Sequence, residues 1–440
     1  MRIDKNFFQI NITVFLFLIS IHEIKTFKCG ADDIKIKPKE LTFNKTYYQK
    51  IKNEVKDTSY TPIQIGMDYT GFSKPSSMSN ETFNKVRSII EDSLKEFQKF
   101  IQVQHVNIDL NGYENEIKQV CSLEQISSDY KNFLINYDVI VFPSFTDQFN
   151  TAILAGAGVC LTIQIESKPK RPVAGILLIN QTLSFDKKNT DIYFKKILFH
   201  EITHILIFNP NILYDLGMIT QKNSIYYVNS ANVLLRAKQH YNCASITGVP
   251  LEDQGSRGSA GTHWEARYML GDYMISTNYY DSVISNITLA LFEDSGFYKV
   301  NYYSGGLFKF GKNKGCEFLN QKCIINGQAL SEEFCVTPDQ PMCSRSRTVK
   351  GHCGIYDYNG IMTIPSNYQY FSNPNYGGFS PANFCPVSSQ SNNAEDYLPL
   401  SCIKGTSTLS SDYGEVISDN SFCFVSSLLP SSSSLTQGTM

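Results

Sequence analysis

The segment Ile197–Phe208 reads Ile-Leu-Phe-His-Glu-Ile-Thr-His-Ile-Leu-Ile-Phe, and apart from His200, Glu201, Thr203 and His204 every side chain in it is large and apolar. Such a run belongs in a core, yet burying a neutral polar group without a partner costs roughly 2 to 7 kcal/mol, and a charge costs more. One metal ion can satisfy both imidazoles and the carboxylate together. On a helix His200 and His204 stand at i and i+4, one turn apart on one face, the spacing with which two imidazoles hold a single Zn²⁺. Glu201 follows about 100° further round, close enough to reach a water beside the metal without ligating it. The pattern is H-E-x-x-H, the arrangement of zinc-dependent peptide hydrolysis. A fold that accommodates it must bury this helix and bring at least one more ligand to the same face.

A chain of 440 residues with 42% hydrophobic and 13% aromatic residues has enough apolar material for one large core or two to three smaller ones. The net charge of −2, with Lys and Arg scattered, gives no electrostatic basis for binding nucleic acid. Near the N-terminus an apolar stretch centred on Val14–Ile19 is too short for a comfortable membrane span and suits a secretory signal peptide over residues 1–22. Twelve cysteines, eight of them between Cys316 and Cys423 without repeated C-x-x-C pairs, read as disulfides formed in an oxidising compartment. Sequons at Asn44, Asn80, Asn180 and Asn286 are compatible with glycosylation. The Ser-rich end, 426–440, reads as a flexible tail without the apolar segment a lipid-anchor signal requires. The expected location is secreted or at the extracellular surface.

Residues 23–58 are rich in Lys, Asn and Asp with little apolar periodicity, as in a pro-segment or surface arm outside the core. Thr61–Tyr69 alternates like a strand. Ser79 then opens a helix whose apolar residues Val86, Ile89, Ile90, Leu94, Phe97 and Ile101 repeat at three and four. Val139–Phe142 and Val173–Ile179 are apolar runs of strand length, and Asn189–Asp191 offers capping residues ahead of the helix with His200. Beyond Cys316 the chain is dense in Gly, Pro, Ser, Asn and Tyr, the texture of a loop-rich, disulfide-stapled unit.

Catalytic zinc takes three protein ligands and leaves a fourth position for water, so a third ligand is needed. Of seven histidines, His22 falls in the signal region and His105 precedes the helix, which leaves His240, His263 and His352, with Glu252 and Glu265 as carboxylate alternatives. The run Gly248–Arg267, with its glycine-rich stretch leading into Gly261-Thr-His-Trp-Glu265, resembles the leishmanolysin family of metzincin peptidases. So do Leu289–Tyr298 and Phe310–Leu319, in the same order, and the likeness extends over roughly Thr61 to Cys423.

That resemblance implies His263 as the third ligand, Met274 as the methionine of the turn beneath the metal, one catalytic Zn²⁺, and disulfides Cys121–Cys160 and Cys243–Cys316. Trp264 is read as packing the loop. In metzincins a glycine usually lies three residues after the second histidine; here Ile207 stands there, so the helix is expected to run slightly further and turn near Asn209-Pro210, where Asn tolerates positive φ. Family pro-segments carry H-x-C-x-H-D, whereas this chain has Phe27-Lys-Cys-Gly-Ala-Asp32, matching at Cys29 and Asp32. Two roles are open for Cys29: a thiolate in the fourth zinc position, or a disulfide to the mature domain.

The resulting expectation is an α+β fold, a metzincin-type catalytic domain with a mixed sheet and an active-site helix, followed by a disulfide-stapled C-terminal domain. Its parts are 59–208, 209–315 and 316–425. The function implied is a zinc endopeptidase acting on polypeptides, with His200, His204 and His263 on the metal and Glu201 as general base. The competing reading is an inactive surface adhesion or binding protein on a peptidase scaffold. A peptidase of another clan with Glu265 as ligand is a second alternative.

Overall fold

The computed structural model describes residues 29–30, 34, 36–41, 59–150, 153–164, 170–185, 190–254, 261–277, 279–389, 401–402, 417–418, 420–425 and 437–439. The signal-peptide segment, the Asn44 sequon and most of the Ser-rich tail lie outside them, but Gln437–Thr439, expected to be flexible, instead form a strand paired antiparallel with Cys423–Val425. The fold is α+β, built on a five-stranded mixed sheet. Its strands are β1 (Lys39–Leu41), β3 (Ile65–Met67), β5 (Val139–Thr146), β6 (Ala155–Ile163) and β7 (Arg171–Asn180), in the order β1-β6-β7-β5-β3. β3, β5 and β7 are mutually parallel, β6 is antiparallel to β7, and β1 runs parallel to β6.

The stretch read as one strand from Thr61 is two: β2 (Thr61–Pro62) joins a separate small sheet with β4 (Ile101–Val103), and only β3 enters the main sheet. Helix α1 (Asn80–Phe97) is capped by Ser79, whose side chain accepts from the Thr82 amide, and it buries Val86, Ile89, Ile90, Leu94 and Phe97 as the periodicity requires. Ile101 continues that spacing but opens β4 instead, because the helix has already ended at Phe97.

Helix α2 (Thr190–Leu206) carries the H-E-x-x-H pattern and packs against β6, β7 and α1. Two features set its depth. Gly175 of β7 leaves room for Ile205, since a Cβ there would lie 2.6 Å from Ile205 Cγ2, and Phe199 stacks on Phe97 at 4.1 Å between ring centroids. Sheet and helices share a continuous apolar cluster that runs from Ile63 to Val387.

Part of the segment expected to stay outside the core does not. Leu41 is 2% exposed and lies with Ile34 and Ile36 against the second apolar cluster, around Val106, Ile140 and Leu161. These apolar residues are too few and too unevenly spaced to show a periodicity, and the edge of β6 supplies the backbone partners that β1 needs.

Among the described residues five disulfides are formed: Cys121–Cys160 and Cys243–Cys316, as the family likeness implied, and Cys323–Cys385, Cys335–Cys353 and Cys343–Cys423. Cys29 and Cys402 take part in none of them and are buried. Of the sequons, Asn180 is unsuited to glycosylation: it is fully buried, and its side-chain amide donates to the Asn150 and Ile153 carbonyls at 3.0 and 2.7 Å. Asn80 and Asn286 are exposed at helix starts.

Candidate metal centre

His200, Glu201 and His204 stand in the C-terminal half of α2 and are at most 2% exposed. The helix ends at Leu206, and the amides of Ile207 and Phe208 both donate to the Thr203 carbonyl at 3.0 Å. Asn209 then caps helix α3 (Pro210–Asp215), with its side chain accepting from the Asn211 amide. The expected positive-φ turn at Asn209 is not used: its φ is −132°. Pro210 instead provides the first turn of the next helix, where its missing N–H costs nothing. This local path brings the Phe208 carbonyl back over the helix end, where it accepts a hydrogen bond from His204 Nδ1 at 2.7 Å.

The third histidine arrives on an extended return. The Glu252 amide donates to the His263 carbonyl at 2.9 Å, and the Trp264 amide donates to the Met274 carbonyl at 2.9 Å. Trp264 is fully buried, with the Phe208 ring edge-on at 5.0 Å, so it packs the loop as the sequence suggested. Its indole N–H donates to Thr288 Oγ1 at 2.8 Å, and that hydroxyl in turn donates to Asp272 Oδ2 at 2.8 Å. Asp272 also accepts from the amides of Met274 and Ser285. Burial pushes the Asp272 carboxyl up to about 6, while these donors pull it back. Met274 is fully buried in the same turn.

Nε2 of His200 lies 3.0 Å from Nε2 of His204 and 3.3 Å from Nε2 of His263. The opposite nitrogens face acceptors. His200 Nδ1 is 2.5 Å from the Tyr273 carbonyl, and His263 Nδ1 is 2.8 Å from the Thr262 hydroxyl. A carbonyl can only accept, so in His200 and His204 the proton sits on Nδ1 and Nε2 presents a lone pair. Two lone pairs at 3.0 Å cannot be joined by a hydrogen bond; a cation between them makes the arrangement favourable. Burial, with the adjacent His204, holds His200 well below the ordinary histidine range, and burial holds His204 down at about 4. Both are neutral at physiological pH, the ligating form. The residues present therefore fit a zinc ion.

Cys29 completes the group. Its Sγ is 3.4 Å from His204 Nε2 and 3.5 Å from Glu201 Oε2, and its sulfur and the three histidine nitrogens all lie within 4.8 Å of one another. The disulfide envisaged for Cys29 is not the arrangement found. The next residue, Gly30, donates its amide to the Ala155 carbonyl at 2.9 Å at the start of β6, and Lys39–Leu41 pair with Leu161–Ile163 at its end.

The other candidates lie elsewhere. His240 faces the Phe310 carbonyl at 2.8 Å, His105 pairs with Asp138 at 2.9 Å, and His352 sits in a strand opposite Pro341. Glu252 and Glu265 belong to a separate acidic group with Asp253. Tyr273 was invisible to sequence reasoning because a backbone carbonyl that orients an imidazole carries no side-chain signature, and Asp272 and Thr288 because they meet Trp264 only through the tertiary fold.

A family model described as leishmanolysin, peptidase M8, matches residues 79–439. The chain belongs to the leishmanolysin family. It is 30% identical over 266 residues to a leishmanolysin homolog of Crithidia fasciculata, covering 58% of this chain and 39% of that protein. To a leishmanolysin of Leishmania chagasi it is 26% identical over 375 residues, 78% of this chain and 59% of the relative. A leishmanolysin-like peptidase of Drosophila melanogaster is 34% identical over 175 residues, 35% of this chain and 25% of the relative. In these alignments the chain spans less than two thirds of each relative's length.

Proposed function

We propose that this leishmanolysin-family chain is a zinc-dependent endopeptidase made as a latent precursor, with His200, His204 and His263 as metal ligands and Glu201 as general base. The observation that carries the reading is the meeting of three Nε2 atoms while every Nδ1 is turned to an oxygen. When bound, zinc supplies Lewis-acid polarisation of the scissile carbonyl and makes water acidic enough to attack near neutral pH. Glu201 does the proton work: its carboxylate takes a proton from the attacking water and hands it to the leaving amine nitrogen. Tyr273 and Phe208, through their carbonyls, hold the imidazoles in the tautomer that donates lone pairs.

In this reading residues 23–58 are the pro-segment, ahead of units at 59–208, 209–315 and 316–425. A Cys29 thiolate would occupy the fourth zinc position and displace the attacking water. Removing the segment also uncovers the edge of β6, to which an extended polypeptide can add as a strand beside Glu201. The five disulfides fit an oxidising compartment and so a secretory route. Among the described residues no helix is long and apolar enough to cross a membrane.

The test is casein cleavage by the trimmed protein, with and without a zinc chelator, beside Glu201→Ala. Cleavage should stop with chelator and return with zinc, and Glu201→Ala should keep one zinc per chain yet cleave nothing. A trimmed, zinc-loaded wild type that cleaves no polypeptide would instead support a binding protein on this scaffold.

A further inference from the structure

A second group of ligand-bearing side chains brackets His263 without joining the histidines. Glu252, Asp253 and Glu265 place carboxylate oxygens within 4.8 Å of one another, with Glu252 and Glu265 only 3% and 2% exposed. The backbone holds them there: the Glu252 amide donates to the His263 carbonyl, and the Glu265 amide donates to the Pro250 carbonyl at 3.1 Å. One Glu265 oxygen accepts from the Arg267 amide at 3.1 Å, while the other, Oε2, is buried with no hydrogen-bond partner. Asp253 Oδ1 is in the same condition. Among the described residues neither Asp253 nor Glu265 forms an ion pair with Lys or Arg.

Three carboxylates this close, two of them buried and the third half-buried, repel strongly, and a single shared proton can join only two of them. A cation can serve all three. Calcium takes oxygen ligands at about 2.3–2.6 Å, so two oxygens on one ion stand at most about 5 Å apart, a limit this group meets. Magnesium dehydrates reluctantly and keeps several waters, which suits a buried all-carboxylate site poorly.

We propose that Glu252, Asp253 and Glu265 form a second cation site, for calcium, that clamps the two sides of the loop presenting His263. The ion ties consecutive residues on the outgoing strand to Glu265 on the return, fixing the ladder from which His263 projects. Calcium should then stabilise the fold and slow loss of zinc, although it touches neither the histidines nor Glu201.

The experiment uses the full-length, zinc-loaded protein, dialysed free of calcium and titrated with CaCl₂. Elemental analysis should find one calcium per chain beside the zinc, and the unfolding temperature should rise by about 3 °C at a hundredfold excess over Kd. Terbium, substituting for calcium, should give sensitised emission, since Tyr227 and Tyr368 lie near enough to feel the charges of Asp253 and Glu265. Asp253→Asn, at a half-buried position, and Glu265→Gln should abolish the temperature response; if Glu265→Gln does not fold, Asp253→Asn and the wild-type stoichiometry still decide. Wild type that binds no calcium at millimolar CaCl₂, or that responds no differently from Asp253→Asn, would overturn the site and leave carboxyls sharing protons.

Discussion

Gly156→Ala should release the precursor from latency without touching Cys29, the histidines or Glu201. Gly156 lies on β6 beside Ala155, whose carbonyl receives the Gly30 amide. A Cβ at position 156 would stand 2.4 Å from Gly30 C, 2.6 Å from its oxygen and 2.8 Å from its Cα. Carbon atoms in ordinary contact are roughly 3.5–4.0 Å apart, and these are backbone atoms that cannot rotate away. Gly30 must retreat by about an ångström, losing its hydrogen bond, worth about 1 kcal/mol, and adding overpacking of about 1–3 kcal/mol. Seating of the segment then weakens by about 2–4 kcal/mol, roughly 30-fold to 1,000-fold, and Cys29, one residue away, leaves the metal site with it.

The assay is peptide hydrolysis by precursor shown intact by mass spectrometry, with zinc content as the control for folding. Gly30→Ala should act alike, since its Cβ would meet the Ala155 oxygen at 2.6 Å. If both intact variants hold zinc and remain as silent as wild type, the segment is not seated through this glycine pair.

Cys29→Ser precursor should be active uncleaved, because a hydroxyl is a far weaker zinc ligand than a thiolate; wild-type latency in a zinc-loaded, intact variant would refute the role given to Cys29. Thr288→Val leaves the Trp264 indole N–H without its acceptor and removes a donor from Asp272, so unfolding by urea should show a loss of about 1–3 kcal/mol and zinc should dissociate faster. An unchanged midpoint would show that this chain of hydrogen bonds does not hold the loop. Burial holds His240 down at about 4, against 6.5 in the unfolded chain. The unfolded state therefore takes up the proton first as pH falls, and about 3 kcal/mol of stability should be lost between pH 6.5 and about 4. His240→Gln should flatten that part of the pH–stability curve, and a curve as steep as wild type would contradict the assignment.

The H-E-x-x-H helix was legible because two imidazoles and a carboxylate in an apolar run have few physical solutions, and the i, i+4 spacing puts His200 and His204 on one face. His263 was not legible in that way. Sixty-three residues separate it from His200, and only the resemblance of the Gly248–Arg267 run singled it out among the alternatives. Helix α1 was readable from its periodicity, but its end was not, because Ile101 keeps the helical spacing while belonging to β4. The placing of Gly30 and of Lys39–Leu41 escaped composition altogether: it depends on the edge that β6 offers to β1 and on two glycines close enough for backbones to touch. The turn after Leu206 was expected to need positive φ at Asn209, but Pro210 solved the same problem by starting a helix.

The metal itself is best tested by X-ray absorption at the zinc edge, on precursor and on trimmed protein. The intact precursor should show three nitrogen ligands at about 2.0–2.1 Å and one sulfur at about 2.3 Å, and trimming should replace the sulfur with an oxygen while the nitrogens remain. A shell with fewer than three imidazole nitrogens, or a precursor shell with no sulfur, would contradict the site built from His200, His204, His263 and Cys29.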